Sequence, residues 1–148
     1  MPSKDTWSLF SLNKRRKIIN TNPDYQRPSV WTKNQKQLLI DSILHDFDIP
    51  KLYLHKTSDG KYDVVDGQQR IRTIWSFYDD EFALSKDADK VMNKEVANKK
   101  YSELDPDISD IIDAYNLDLV ILDENKSEDE IREMFLRLQN GTSLKAQE

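Results

Sequence analysis

Asp66, Gly67, Gln68, Gln69 and Arg70 stand in a row, directly after an apolar run and directly before a helical pattern. A strand, a tight glycine turn and a helix start together make an anion site. The first backbone N–H groups of a helix have no partners within it. The helix dipole adds partial positive charge at the same end, and a phosphate placed there satisfies both. Gly67 lets a ligand approach the backbone closely, and Gln68 and Gln69 add amide donors and acceptors. Arg70, one turn in, can grip phosphate bidentately. Asp66 repels a bare phosphate; it makes sense where it binds a phosphate-bridging Mg2+ or orients a water. The plain alternative is a helix start with a capping Asp and surface polar groups.

A second cluster is Tyr25-Gln26-Arg27-Pro28, followed by Trp31. It puts one cation and two aromatics in a proline-bounded loop just before a helix. Arg27 can meet a second phosphate, or an aromatic can stack on a base. Equally, Tyr25 and Trp31 can fold onto the core while Arg27 faces water.

The rest of the composition excludes more than it assigns. The chain has no cysteine, which removes disulfides, Cys-based zinc sites and a thiol nucleophile together. His45 and His55 have no metal-ligand spacing and read as surface or boundary residues. The three glycines, Gly60, Gly67 and Gly141, stand too far apart for a Walker-type loop or a GxGxxG turn. No apolar run follows the first charges, and none approaches the length of a membrane span, so a cytoplasmic location is expected. Net charge is −5, against a generic nucleic-acid binder, but it is unevenly spread. Residues 1–78 carry 13 Lys/Arg against 8 Asp/Glu, whereas residues 79–148 carry 9 against 19. Anion chemistry therefore belongs in the first half.

The elements that must position these groups are legible in outline. Leu9, Phe10 and Leu12 begin an apolar segment, and Lys14-Arg15-Arg16-Lys17 reads as a solvated turn. Ile18-Ile19 predicts a short strand, and Asn20 to Pro28 has turn composition. A helix is predicted from Lys33 to Asp46, with Thr32 as N-cap, Gln35 as capping-box partner, and Leu39, Ile40, Ile43, Leu44 and Phe47 on its inner face. Lys51 to Lys56 and Tyr62 to Val65 predict two neighbouring strands around a 57–60 turn. The helix after Gly67 runs from Gln68 to Tyr78, with Ile71, Ile74, Trp75 and Tyr78 inward. Residues 85–103 lack a period and read as an exposed excursion. Pro106 suits the first turn of a helix to Ala114, and Leu117 to Leu122 is a strand. A last helix follows a Ser127/Glu130 capping box, with Ile131, Met134, Phe135 and Leu138 inward and Gly141 as its C-cap. The pattern predicts a mixed α/β (α+β) fold of one domain over residues 1–148, and the final residues look like the approach to a further helix.

Asn22-Pro23-Asp24-Tyr25-Gln26-Arg27-Pro28, Trp31, Leu39-Ile40-Asp41-Ser42-Ile43-Leu44, Ile49-Pro50, Asp66-Gly67-Gln68-Gln69-Arg70 and Thr73-Ile74 follow one another in that order and spacing. Together they resemble the N-terminal domain of GmrSD-type (type IV) restriction proteins and, more distantly, the ParB/sulfiredoxin-like fold, a small mixed sheet with surrounding helices. The resemblance implies a domain that binds and hydrolyses an NTP with Mg2+ in antiviral defence against modified DNA. Cutting is left to an HNH-type nuclease domain or partner, and a C-terminal region found in relatives is expected beyond the chain. It carries Asp66, Gln69 and Arg70 over as the catalytic set, with Asp66 on the metal. Tyr25, Gln26, Arg27, Gly67 and Gln68 carry over as nucleotide-binding residues. A late polar element, Arg137-Leu138-Gln139-Asn140-Gly141, offers both Gln139 and Asn140; Asn140 is the candidate retained. Two other readings stand beside this one: a non-catalytic module of the same fold that binds DNA or a protein, and a ParB-like phosphotransferase.

Overall fold

Alternating apolar residues build a five-stranded sheet whose two faces are covered differently. The computed structural model describes residues 3–21, 31–123, 125–127 and 129–137. Its strands are β1 (Ser3–Ser8), β2 (Ile19–Asn20), β3 (Leu52–Lys56), β4 (Tyr62–Asp66) and β5 (Asn116–Leu122). They lie in the order β1-β5-β3-β4-β2. β1 runs antiparallel to β5 and β3 antiparallel to β4, while β3–β5 and β2–β4 are parallel pairs. The mixed α/β class is thus observed, and the two strands joined by the 57–60 turn are neighbours as the sequence predicts.

Side chains alternate across a strand, so each face takes every second residue. Leu52, Leu54, Val64, Leu117 and Leu119 enter the main core. There they meet α1 (Leu9–Lys14), α2 (Lys33–Leu44), α3 (Gln68–Tyr78) and α4 (Pro106–Ala114) through Leu9, Leu12, Ile40, Ile43, Ile71, Phe77, Ile108 and Ile112. Val65 and Leu122 face the other way, with Tyr53 and Val120, and are covered by Ile131, Met134 and Phe135 of a helix over 129–137, α5. Each fully buried Leu or Ile contributes about 1.5–3 kcal/mol.

Several expectations are corrected. β1 is absent from the sequence pattern: only Trp7 of its six residues is buried. The short second strand is Ile19–Asn20, because Ile18 closes a 3-10 turn over Arg16–Ile18. The basic run is not simply solvated. Arg16 bonds both carboxylate oxygens of Asp79, at 2.7 and 3.0 Å, and the Arg15 guanidinium stacks 4.5 Å from the Trp7 ring centroid. α2 stops at Leu44, since Asp46 takes φ 60 and the Phe47 N–H returns to the Ser42 carbonyl at 2.9 Å. That reversal turns Phe47 out to solvent, 62% exposed, away from the predicted inner face. On α3 the fully buried aromatic is Phe77, while Trp75 and Tyr78 are only partly covered.

The 85–103 stretch is not an exposed excursion either. Val91 and Val96 within it, and Leu84 and Leu104 at its ends, are buried in the main core. Met92, Asn93 and Asn98 adopt positive φ, so the chain turns too often to show a period. Asp113 Oδ1 accepts from Tyr78 Oη at 2.7 Å and Tyr101 Oη at 2.9 Å, tying this stretch to α3 and α4. Burial, reinforced by the Asp113 carboxylate, holds both phenols above their ordinary pKa. Leu138 and Gly141 lie outside the described residues.

Candidate functional site

β4 delivers Asp66 to the end of the sheet, and Gly67 turns the chain into α3. Gly67 has φ 110 and ψ 11, a left-handed conformation that L side chains resist. A Cβ there would overlap Leu52 Cδ2 and stand 3.2 Å from Arg70 Nη2. Glycine is therefore required twice over, by the backbone and by the space. As N-cap, Gly67 gives α3 no side-chain cap, and the first turn carries no acidic residue. The Gly67 carbonyl accepts the Ile71 N–H at 3.1 Å, the first bond of the helix. The N–H groups before it have no partner inside the helix, and neither a capping oxygen from residue 67 nor an acidic side chain in the first turn competes for their end.

Arg70 lies inward. Its residue is only 9% exposed, Nη1 donates to the Pro50 carbonyl, and Nη2 lies 3.4 Å from Asp66 Oδ2. Burial lowers its pKa, and the neighbouring Asp66 carboxylate works against that. A guanidinium stays charged at any ordinary pH, so this cation underlies Gly67 from the core side. Gln68 is half-buried. Gln69 Oε1 accepts the Trp31 N–H at 3.2 Å. Asp66 remains 30% exposed at its side chain. Asp66, Gly67, Gln68, Gln69 and Arg70 are thus brought together, whereas Tyr25, Gln26, Arg27, Gln139 and Asn140 lie outside the described residues.

Sequence reasoning missed two contributors. The Pro50 carbonyl, twenty residues before Arg70, announces nothing by its side chain. Arg72 donates to the Thr21 carbonyl at 2.7 Å and to its hydroxyl at 3.3 Å. The signal for Arg72 was its spacing, three residues after Gln69 on the same helix face.

A groove between α2 and the 84–89 turn is lined by Leu38, Leu84, Asp41, Asp87 and Asp89, among others, and suits no phosphate. Among the described residues no group of three or more His, Asp or Glu could hold a metal ion. His45 sits at the end of α2 with Nδ1 2.8 Å from the Asp41 carbonyl, and His55 is a half-buried residue of β3. Among the described residues no helix is long and apolar enough to cross a membrane.

Comparison with known proteins gives this arrangement a family. No curated protein matches the chain. Among solved structures it is similar to the C-terminally truncated chromosome-partitioning protein ParB from Caulobacter crescentus complexed with CTP-gamma-S. Identity is 12% and the TM-score 0.47, over 90% of this chain and 51% of that one. The chain thus spans about half the length of that structure, and the nucleotide belongs to that protein. The family model of the GmrSD restriction endonuclease N-terminal domain matches residues 7–148. With a match that runs over nearly its whole length, this chain belongs to the GmrSD restriction endonuclease N-terminal domain family.

Proposed function

We propose that this chain is the nucleotide-binding domain of a cytoplasmic restriction protein directed at modified DNA, and that it hydrolyses the NTP it binds. The observation that carries the reading is the start of α3, where a helix end led by glycine stands over a buried guanidinium. That donor set suits phosphate oxygens. The Gln68 and Arg70 N–H groups face the anion, and the Arg70 charge adds to the helix dipole from beneath. Asp66 supplies one carboxylate. Mg2+ is commonly held by one or two carboxylates together with substrate phosphates, and bound there it would neutralise the phosphate charge and polarise the attacked phosphorus. Asp66 otherwise orients the attacking water. Gln69 is the third residue of the proposed catalytic set, and Tyr25, Gln26, Arg27 and Asn140 are proposed to complete the nucleotide contacts. The proposed domain extends over residues 1–148 and works with an HNH-type nuclease domain or subunit.

One observation favours a different reading. The Arg70 guanidinium already serves Pro50 and Asp66, which is what a non-catalytic module would retain as scaffold. Phosphate release measured with each of the four NTPs and Mg2+ separates the two. Calorimetric titration of Arg70→Ala and Asp66→Asn then assigns roles. Loss of a charge-assisted contact costs about 1.5–3 kcal/mol, so Arg70→Ala should weaken nucleotide binding roughly ten- to a hundred-fold. Because Arg70 is buried, its melting point should fall as well. Asp66→Asn should bind almost normally without Mg2+ and turn over poorly with it. A lower melting point for Arg70→Ala with unchanged affinity would leave the site as scaffold.

A further inference from the structure

Lys14, Arg15 and Lys17 are cations without acids. All three are exposed, and among the described residues none of them makes an ion pair, whereas Arg16 in the same run is held by Asp79. Elsewhere Lys90, Lys94, Lys126 and Arg137 each meet a carboxylate. A chain of net charge −5 has acids to spare for the other three and does not place them there.

Rings hold these cations instead. The Arg15 guanidinium lies over the Trp7 ring, and its Nε donates to Ser11 Oγ at 3.0 Å. Trp7 is fixed in turn: its Nε1–H donates to Asp5 Oδ2 at 3.2 Å, and its ring meets Tyr62 edge to face with centroids 5.3 Å apart. Arg15 thus has a set plane, while its two terminal nitrogens have no partner among the described residues. A stacked guanidinium with a free N–H edge matches the oxygens of a phosphate. Lys14 Nζ stands 5.1 Å from the centroid of the exposed Phe10 ring. Beyond Trp7 and Tyr62 comes Lys61, also exposed, which lines one hollow together with Lys17.

Three carboxylates border this strip, and each accepts bonds from its own surroundings. Asp5 accepts the Thr6 N–H as well as the Trp7 ring, Asp59 accepts the Thr57 hydroxyl and the Lys61 backbone N–H, and Asp63 accepts the Asn20 amide. None of them pairs with a cation of the strip. Four cations against three carboxylates still leave only a small local excess, which makes any hold on an anion weak and salt-sensitive.

We infer that the strip formed by Lys14, Arg15, Lys17 and Lys61 is a surface for the phosphate backbone of duplex DNA. Exposed, unpaired cations spread along a surface suit a ladder of phosphates better than one small anion. DNA, and not an acidic protein, is the partner that fits a restriction endonuclease domain family, and in this the inference rests on the restriction reading above. Phosphate contacts set position and carry no sequence information, so the strip docks DNA and leaves the reading of a modification to other residues. Tyr62 opens β4 and Asp66 closes it, so the strip and the start of α3 lie at opposite ends of one strand, about 13 Å apart along it.

The experiment titrates the whole chain into a fluorescein-labelled duplex and reads anisotropy at rising salt, beside a titration with each MgNTP. The wild type should lose DNA affinity along a log–log salt slope of about −3, the value for three to four phosphates. Arg15→Gln/Lys17→Gln should bind the duplex about ten-fold more weakly at the lowest salt, with about two removed from the slope. Arg15→Lys keeps the charge and loses the fork, so its slope should stay and its affinity should fall less. Lys86→Gln/Lys90→Gln removes the same charge elsewhere and should leave both unchanged. Nucleotide binding, where the wild type shows it, should be the same in all variants. DNA affinity unchanged in Arg15→Gln/Lys17→Gln, or lowered equally in Lys86→Gln/Lys90→Gln, overturns the inference. So does a wild type that binds no duplex, or one that binds poly-L-glutamate as tightly as DNA through the same residues. A wild type that binds DNA through the strip but no NTP leaves this inference standing, and only the nucleotide reading fails.

Discussion

α2 and α3 pack side by side and end alike, yet they begin in opposite ways. Each ends on an aspartate in the left-handed region, Asp46 or Asp80, with matching returns of N–H groups to the last turn. At its start, α2 has a full capping box, in which the Thr32 hydroxyl accepts the Gln35 N–H and the Gln35 side chain accepts the Thr32 N–H. Ser8, Asp105 and Ser127 cap α1, α4 and α5 in similar fashion. α3 starts from Gly67 with no side-chain cap. A cap spends the end of a helix on stability. α3 forgoes that cap, because Gly67 has no side chain to offer its first-turn N–H groups.

The hardest test of this contrast is Gly67→Ala. A left-handed alanine costs about 1–2 kcal/mol, and forcing its Cβ against Leu52 costs about 1–3 kcal/mol more. Gly60 also has positive φ, but a Cβ there would meet nothing within 4 Å. Gly60→Ala should show only the backbone cost. Denaturant unfolding of both variants measures the difference; equal losses would mean that Leu52 yields freely and Gly67 is needed for its φ alone.

Thr32→Ala should have a smaller effect and only one consequence. Losing an N-cap typically costs about 1 kcal/mol, read as a lower unfolding midpoint. Nucleotide affinity of the folded protein should not move. A fall in affinity would mean that the starts of α2 and α3 act together, and the contrast would dissolve.

Smallest is an effect of acid on the end of α3. The Asp80 carboxylate accepts the Ser102 N–H at 3.0 Å, and this bond holds its pKa below the usual value. A carboxyl depressed by folding stabilises above its unfolded pKa, about 3.9, and loses that contribution as pH falls through its folded value. Exchange at the Ser102 amide, corrected for intrinsic rates, should therefore accelerate below about pH 4. No acceleration would show that Asp80 serves only as the left-handed end residue, as Asp46 does.

Legibility followed how local the cause was. Thr32 and Gln35 announce α2 because a capping box is complete within four residues, and the β3–β4 hairpin is equally self-contained. The Asp66–Arg70 turn was readable as a strand–glycine–helix junction, but the burial of Arg70 was not, because its partner is a backbone carbonyl at Pro50. β1 was hidden for a related reason. An edge strand with one buried residue needs little hydrophobic pattern, and its partner lies at the far end of the chain. The 85–103 stretch packs Val91 and Val96 between left-handed residues at Met92, Asn93 and Asn98, so no period revealed it.

The pairing of β1 with β5 also sets an order of events. Ser3 lies opposite Ile121 and Ser8 opposite Asn116, so β1 cannot find its neighbour until β5, the last described strand, has been made. At roughly 5–20 residues per second, that is a wait of about 6–24 s. Through that interval the polar sequence of β1, with Trp7 alone to bury, leaves little sticky surface to misplace. A more apolar first strand would fit the sheet as well, and would have far more time to aggregate.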